Sequence, residues 1–223
     1  MANLRMYCTQ INLHHSVAAT SNLSENIAKG NKHSSYIALI QEPYCKYGKV
    51  RGFSNKVTII ETCDVNNQPR AALLISKDMP VFKLANFCNR DIAAAIITIN
   101  DRNVVVASVY MPHNNEEHPS TVFQNMVQYC EDHNYELIIG ADANSHHEYW
   151  GCTESNSRGD SLVEFLSTKE LHVINKGIIP TFVTRSRQEI LDITMVSSGM
   201  LQTYQIGMLT SKTQCLIIKP YVL

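Results

Sequence analysis

Five apolar segments of strand length follow one another at residues 57–62, 71–76, 81–86, 92–99 and 103–110. Short polar stretches such as Asn66-Asn67-Gln68-Pro69 and Asn100-Asp101-Arg102-Asn103 separate them, rich in residues that reverse a chain. This cadence predicts an antiparallel meander rather than strict βαβ alternation.

The flanking segments add helices. Residues 4–12 read as a first strand, and Ala19, Leu23 and Ile27 at spacing four suggest an amphipathic helix ended by Gly30. A buried strand at 36–40 runs into Gln41-Glu42-Pro43, where the proline disfavours helix at Glu42. The Glu42 carboxylate is therefore expected in extended chain at a strand tip. Pro119-Ser120 opens a helix with Val122, Phe123, Met126, Val127 and Cys130 on one face. A further helix is expected at 159–169, with Leu162, Phe165 and Leu166 inward. Short strands follow at 171–175 and 181–184. A strand at 189–196 carries Asp192 among apolar residues, and two more are expected at 202–208 and 215–218. About ten or more strands with three helices fit an α/β four-layer sandwich, two mostly antiparallel mixed sheets flanked by helices. No linker or repeat divides the chain, so residues 1–223 are expected to form one domain.

One further strand carries candidate chemistry at its end. Leu137-Ile138-Ile139-Gly140-Ala141 is a short apolar run, followed by Asp142-Ala143-Asn144-Ser145-His146-His147. Asp142 and Asn144 stand two residues apart, so in extended chain they face the same way. An anionic acceptor beside a neutral donor suits taking a proton from water and holding a phosphoryl oxygen. The same residues also suit an Asx turn closing the strand. In the predicted sandwich, Asn12, Glu42, Tyr110, Asp142 and Asn144 gather at strand tips on one end.

Composition narrows the classes. Hydrophobic residues make up 44% and charged residues 17% of the 223, which argues against disorder. The formal net charge is −1, so any contact with phosphates must come from local clusters. Lys46, Lys49 and Arg51 form one, Arg185 and Arg187 another, and either also reads as a solvated face. Seven scattered cysteines without a Cys-x-x-Cys pair favour free thiols in a reducing compartment. Met1-Ala2-Asn3-Leu4-Arg5 leads into no secretory apolar region, and no run approaches membrane-span length. An intracellular or nuclear chain, not secreted and with no membrane contact, is expected.

With these residues assembled, the sequence resembles the endonuclease/exonuclease/phosphatase superfamily, the DNase-I-like fold. Within it, the chain is most similar to endonuclease domains of non-LTR retrotransposons. The markers are Gln10-Ile11-Asn12-Leu13, Gln41-Glu42-Pro43, Ser108-Val109-Tyr110-Met111-Pro112, Gly140-Ala141-Asp142-Ala143-Asn144-Ser145-His146-His147 with Trp150-Gly151, Pro180-Thr181-Phe182, and Leu191-Asp192-Ile193-Thr194. The resemblance implies that Glu42 binds Mg²⁺ (Mn²⁺ as a substitute), a hard cation that keeps several waters. It implies that Asp142 aligns or deprotonates the attacking water while Asn144 and Asn12 orient the scissile phosphate. It also implies that Tyr110 and Thr181 donate to phosphate oxygens and that Asp192 holds a catalytic histidine. Arg185, Arg187, Lys46 and Lys49 are the further DNA-contact candidates. The implied partners are double-stranded DNA and a reverse transcriptase domain in the same polyprotein, for a monomeric nuclease whose nick leaves a 3′-hydroxyl primer. His146 and His147 point oppositely in extended chain, so they are expected as loop or DNA-contacting side chains rather than metal ligands. His14 and His15 are read the same way, and Trp150 as a packing anchor.

The chain departs from that family at its end. Members close with a Ser-Asp-His triplet before the last strand. Here the matching place reads Ser211-Lys212-Thr213, and no histidine follows His172. The region from about 197 to 223 is thus divergent. Losing a general acid–base group costs about 10²- to 10⁴-fold in rate, and Lys212 is the side chain expected to reach Asp192 instead. The sequence leaves three functions: a DNA endonuclease with weakened cleavage, a DNA-binding remnant without activity, and a phosphodiesterase acting on lipid or inositol phosphates.

Overall fold

The computed structural model describes residues 5–29, 34–99, 101–114, 117–174, 180–183, 185, 188–201, 204–210 and 213–218. Strand β1 (Arg5–Asn12) leads into helix α1 (Val17–Lys29), and β2 (Ser34–Gln41) returns parallel to β1. A small hairpin of β3 (Cys45–Lys46) and β4 (Lys49–Val50) follows, carrying the Lys46 and Lys49 cluster. Then come β5 (Val57–Ile60), β6 (Ala71–Ser76), β7 (Val81–Lys83), β8 (Ile92–Ile99) and β9 (Arg102–Tyr110). Helix α2 (Thr121–Asp132) carries the chain to β10 (Glu136–Asp142), and α3 (Ser157–Thr168) to β11 (Leu171–Val173). A second hairpin, β12 (Phe182–Val183) with β13 (Gln188–Glu189), precedes β14 (Asp192–Ser197), β15 (Tyr204–Thr210) and β16 (Thr213–Ile218).

Two mixed sheets of 6 strands each form the centre of the molecule. One has the order β15-β16-β1-β2-β6-β5, the other β11-β14-β10-β9-β8-β7. The pairs β1–β2 and β9–β10 are parallel and each is spanned by a helix, as a parallel crossover requires. The remaining pairs in these sheets are antiparallel, in keeping with the meander cadence.

Three apolar clusters correspond to the three interfaces of a four-layer sandwich. Ile37, Leu39, Leu73, Ile75, Ala93, Ala95, Val104 and Val106 fill the space between the sheets. Their strand neighbours Ala38, Ile40 and Leu74 pack with Leu23 of α1. Ala94, Val105, Ala107 and Val109 pack with Phe123, Met126 and Val127 of α2 and Leu162 and Leu166 of α3. Successive residues point to opposite faces, so a strand buried on both sides is apolar throughout. Each fully buried side chain of Val, Leu, Ile, Phe or Met contributes roughly 1.5–3 kcal/mol.

Several predicted boundaries move for local reasons. Helix α3 starts at Ser157 rather than Gly159, because the Asn156 side chain accepts from the Gly159 amide and caps it. The predicted strand at 81–86 stops at Lys83 and passes into a short 3₁₀ turn at Ala85–Phe87. The predicted strand at 189–196 is broken in two. Glu189 pairs with Phe182 in the small hairpin, while Asp192 pairs with Asp142 in the large sheet. Among the described residues no helix is long and apolar enough to cross a membrane.

Candidate active site

Register places the site before any side chain does. Asn12 and Gln41 are paired at the ends of β1 and β2, while Tyr110, Asp142 and Asp192 lie side by side across β9, β10 and β14. Beneath this end, polar side chains join the two sheets. Gln10 Nε2 donates to the Ala141 carbonyl at 3.0 Å, and Gln41 Nε2 donates to the Gly140 carbonyl and Ser108 Oγ at 2.9 Å each. The Thr194 hydroxyl donates to Gln10 Oε1. Gly140 permits this approach, since a Cβ there would lie 2.9 Å from Leu39 Cβ. The result is a contact between sheets at the surface, with Asn12 Nδ2 donating to Asp142 Oδ2 at 2.8 Å.

Glu42 corrects the sequence reading. The sequence predicts extended chain there, but the residue has φ of +46°, in the left-handed region. Backbone hydrogen bonds hold it there: its N–H donates to the Arg70 carbonyl and its carbonyl accepts from His15 N–H, both at 2.8 Å. Proline at 43 disfavours the right-handed helical region but does not by itself secure an extended residue. His14, His15 and Asn144 also have positive φ, at 48°, 54° and 44°. Such backbone is costly for side chains other than glycine and concentrates at functional sites.

These turns converge charges. His14 Nδ1 lies 3.2 Å from Glu42 Oε2, and His15 Nε2 lies 3.9 Å from Glu42 Oε1. The hydrogen bond between His14 and Glu42 raises the pKa of the imidazole and lowers that of the carboxylate. Asp142 and Asp192 are buried, and burial pushes both carboxyls above their ordinary range. The charges of Asp192 and Glu42 push Asp142 further in the same direction, against the Asn144 N–H and Asn12 amide that favour its anion. Burial, followed by the charges of Asp142 and Glu42, also raises Tyr110, so its phenol keeps its proton as a donor.

Asp142 and Asn144 satisfy both readings offered by their spacing. The Asn144 N–H donates to Asp142 Oδ1 at 3.2 Å, closing an Asx turn. Asn144 Nδ2 is buried and its amide lies against the Tyr110 hydroxyl, a contact that opposes the rise in the phenol's pKa.

Other candidates are distributed differently. Thr181 Oγ1 accepts from the N–H groups of Leu191 and Asp192 at 3.1 Å each and lies against the Asp192 carboxylate. Lys46 and Lys49 are exposed on the β3–β4 hairpin, with Lys46 over the Tyr47 ring. Arg185 is exposed, while Arg187, Ser211 and Lys212 lie outside the described residues. Strand β16 begins at Thr213, and Gln214 pairs with Gln10, two residues before Asn12. His147 caps a short 3₁₀ turn through Tyr149 N–H, and Trp150 is fully buried. The six described cysteines are free thiols.

Arg70 and Asp91 join the site without a sequence motif to mark them. Arg70 makes two hydrogen bonds to Asp91, at 2.5 and 2.7 Å, and its guanidinium lies 4.5 Å from the centre of the Tyr110 ring. Their separation of 21 residues hides the pairing, although each immediately precedes a strand, Arg70 before β6 and Asp91 before β8.

A family model described as endonuclease-reverse transcriptase matches residues 104–215. The chain is similar to the endonuclease domain of TRAS1, a telomere-specific non-LTR retrotransposon. Identity is 25% and the TM-score 0.77, covering 97% of this chain and 99% of that one. Its fold is also similar to that of the 3′ phosphatase NExo from Neisseria bound to product DNA hairpin, at 12% identity and TM-score 0.57 over 97% and 100% of the two chains. For the Xenopus laevis APE2 catalytic domain the values are 10% identity and TM-score 0.62, over 96% and 92%. No curated protein matches the chain.

Proposed function

The chain belongs to the endonuclease-reverse transcriptase family, within the endonuclease/exonuclease/phosphatase superfamily, and we propose that it is a Mg²⁺-dependent nuclease that nicks double-stranded DNA. The nick leaves a 3′-hydroxyl that primes reverse transcription by a domain of the same polyprotein, in the nucleus. The observation that carries this reading is the meeting of Asn12 and Asp142 across the two sheets, with Asp192 paired beside Asp142 and Glu42 acting on its charge.

The donor set fits a hard divalent cation. Glu42 would supply carboxylate oxygens to it, and the charges of Glu42 and Asp192 disfavour ionised Asp142. A cation would relieve that repulsion. Among the described residues no group of three His, Cys, Asp or Glu side chains forms a metal cage. An ion held chiefly by Glu42 would thus retain waters, as Mg²⁺ does. When bound, the ion supplies polarisation of the phosphoryl group and stabilisation of the leaving oxygen.

The chain's own groups supply positioning and proton transfer. Asp142 accepts a proton from the attacking water, with Asn12 and the Asn144 N–H fixing its two oxygens. Asn144 Nδ2 and the Tyr110 hydroxyl donate to phosphate oxygens, where they stabilise charge that builds as the bond breaks. Thr181 positions Asp192, accepting the Asp192 N–H and donating its hydroxyl to the Asp192 carboxylate. Lys46, Lys49, Arg185 and Arg187 contact the flanking backbone.

The test is nicking of supercoiled plasmid with Mg²⁺ and with chelator. Chelator and Asp142→Asn should each abolish nicking. The double variant Lys212→Asp with Thr213→His should nick about 10²- to 10⁴-fold faster if it restores proton transfer. Gel shift without nicking by any variant would point instead to a binding-only remnant. Failure to bind or nick duplex DNA would overturn the proposal.

A further inference from the structure

A second connection between the sheets stands at the site, beside the one made by Gln10 and Gln41. Arg70 immediately precedes β6 in one sheet, and Asp91 immediately precedes β8 in the other. The Arg70 and Ala71 N–H groups donate to the Arg90 carbonyl at 2.7 and 3.2 Å. The Arg70 side chain closes the junction, with Nε donating to Asp91 Oδ1 at 2.5 Å and Nη2 to Asp91 Oδ2 at 2.7 Å. A fork of this kind fixes direction as well as distance. The Asn89 side chain accepts from the N–H groups of Asp91 and Ile92, at 2.7 and 2.9 Å, and so steadies the acceptor end.

Both ends of the junction reach groups of the site. The Arg70 carbonyl accepts the Glu42 N–H at 2.8 Å, one of the bonds that hold Glu42 at positive φ. The Asp91 carbonyl accepts the Tyr110 N–H, also at 2.8 Å. The Arg70 guanidinium lies over the Tyr110 ring, 4.5 Å from its centre, within the range at which a cation is drawn to an aromatic face. Tyr110 is therefore held at its backbone, at its ring and, through Asn144, at its hydroxyl. Glu42 follows β2 and Tyr110 ends β9, so these two groups come from different sheets and their spacing depends on what joins the sheets.

An arginine near a nuclease site can instead grip phosphate directly. Here Nε and Nη2 are committed to Asp91, and that carboxylate offsets the guanidinium charge. The ring beneath it takes part of what remains. The geometry favours a group that acts on Tyr110 over one that acts on the substrate.

We propose that Arg70 and Asp91 form a positioning pair that fixes the Tyr110 ring relative to the Glu42 turn and so aims the Tyr110 hydroxyl at the scissile phosphate. The inference rests on the DNA-nuclease reading and deepens it by adding two residues that work through Tyr110.

The first test measures nicking of supercoiled plasmid with Mg²⁺ by the whole chain and its variants. Arg70→Met should lower kcat by about ten-fold with KM little changed, since the hydroxyl that it aims is worth about that much. In a Tyr110→Phe background the same substitution should cost less than about two-fold, the non-additivity of groups that act as one. Asp91→Ala should reproduce Arg70→Met, and Arg70→Lys should recover only part of the rate, because an ammonium lacks the fork. The second test is independent of cleavage and uses the chain labelled with ¹³Cζ-tyrosine. The Tyr110 resonance, identified by its absence from Tyr110→Phe, should shift in Arg70→Met and Asp91→Ala while the other tyrosine signals stay dispersed. Should Arg70→Met fail to fold, Arg70→Lys and Asp91→Asn carry the same comparison. A raised KM with kcat unchanged would place Arg70 on the phosphate and overturn the positioning role. Additive losses in the double variant, or an unmoved Tyr110 resonance, in a chain that nicks would overturn the pair and leave the nuclease reading intact. A shifted Tyr110 resonance in a chain that does not nick would support the pair while counting against that reading.

Discussion

Replacing Asp142 by asparagine removes one member of a buried carboxylate pair, and the consequence for stability changes with pH. Burial and then the charges of Asp192 and Glu42 raise the Asp142 pKa above its ordinary value near 4. Between the ordinary and folded values the folded chain binds more protons than the unfolded chain, so stability falls as pH rises. An asparagine side chain does not titrate and escapes that loss. It carries another cost, because both Asp142 oxygens accept hydrogen bonds, from Asn12 Nδ2 and from the Asn144 N–H. An amide has only one oxygen, so one donor is stranded at about 1–3 kcal/mol. At pH 4 only this penalty acts, and the variant should melt below wild type. At pH 8 the removed charge offsets it, since each tenfold change in proton affinity between the folded and unfolded chain is worth about 1.4 kcal/mol. For a chain of this size about 2 kcal/mol moves the melting temperature by about 4–8 °C. Melts in chelated buffer from pH 4 to 8 should therefore show the variant gaining on wild type throughout. A difference that stays flat, or grows in favour of wild type as pH rises, would refute a strained carboxylate pair.

Three other outcomes test separate parts of the molecule. Mg²⁺ added at pH 8 should raise the melting temperature of wild type and have much less effect on Glu42→Gln, as measured by the same scans. Tyr110→Phe should slow nicking about ten-fold, the value of one hydrogen bond to a developing charge, with gel-shift affinity unchanged. Gly140→Ala should cost about 1–3 kcal/mol in urea unfolding, because the added methyl group enters the space held by Leu39 and Gln10 between the sheets.

The fold is legible where burial on two sides produces unbroken apolar strands. The segments at 71–76 and 92–99 coincide with β6 and β8 because apolar neighbours cover both of their faces. Legibility fails where tertiary contacts end an element early. Glu189 and Asp192 belong to one apolar-rich stretch, yet they serve different sheets, and Thr181 accepts the two amides released where the chain turns. A period-two pattern carries no record of a hydroxyl ten residues upstream. The β3–β4 hairpin escapes notice for another reason, since two residues per strand are too few to show alternation.

Site legibility divides along the same physical line. Asn12, Glu42, Tyr110, Asp142 and Asn144 stand near strand ends, and a parallel register converts that sequence property into proximity. Their energetic environment is less visible, because it depends on neighbours distant in sequence. The Asn12–Asp142 contact spans 130 residues, and the pressure on the Asp142 charge comes from residues 42 and 192. His14 illustrates the difficulty most sharply. Adjacent histidines in a loop suggest peripheral side chains, but positive φ at His14, His15 and Glu42 folds the loop back so that both rings approach one carboxylate. An ion drawn to Glu42 must therefore compete with His14, and the competition should weaken as His14 loses its proton on raising the pH. For the proposed nuclease, metal binding at Glu42 and the pH response of the site are consequently one electrostatic property, created by a backbone conformation that residue type alone does not disclose.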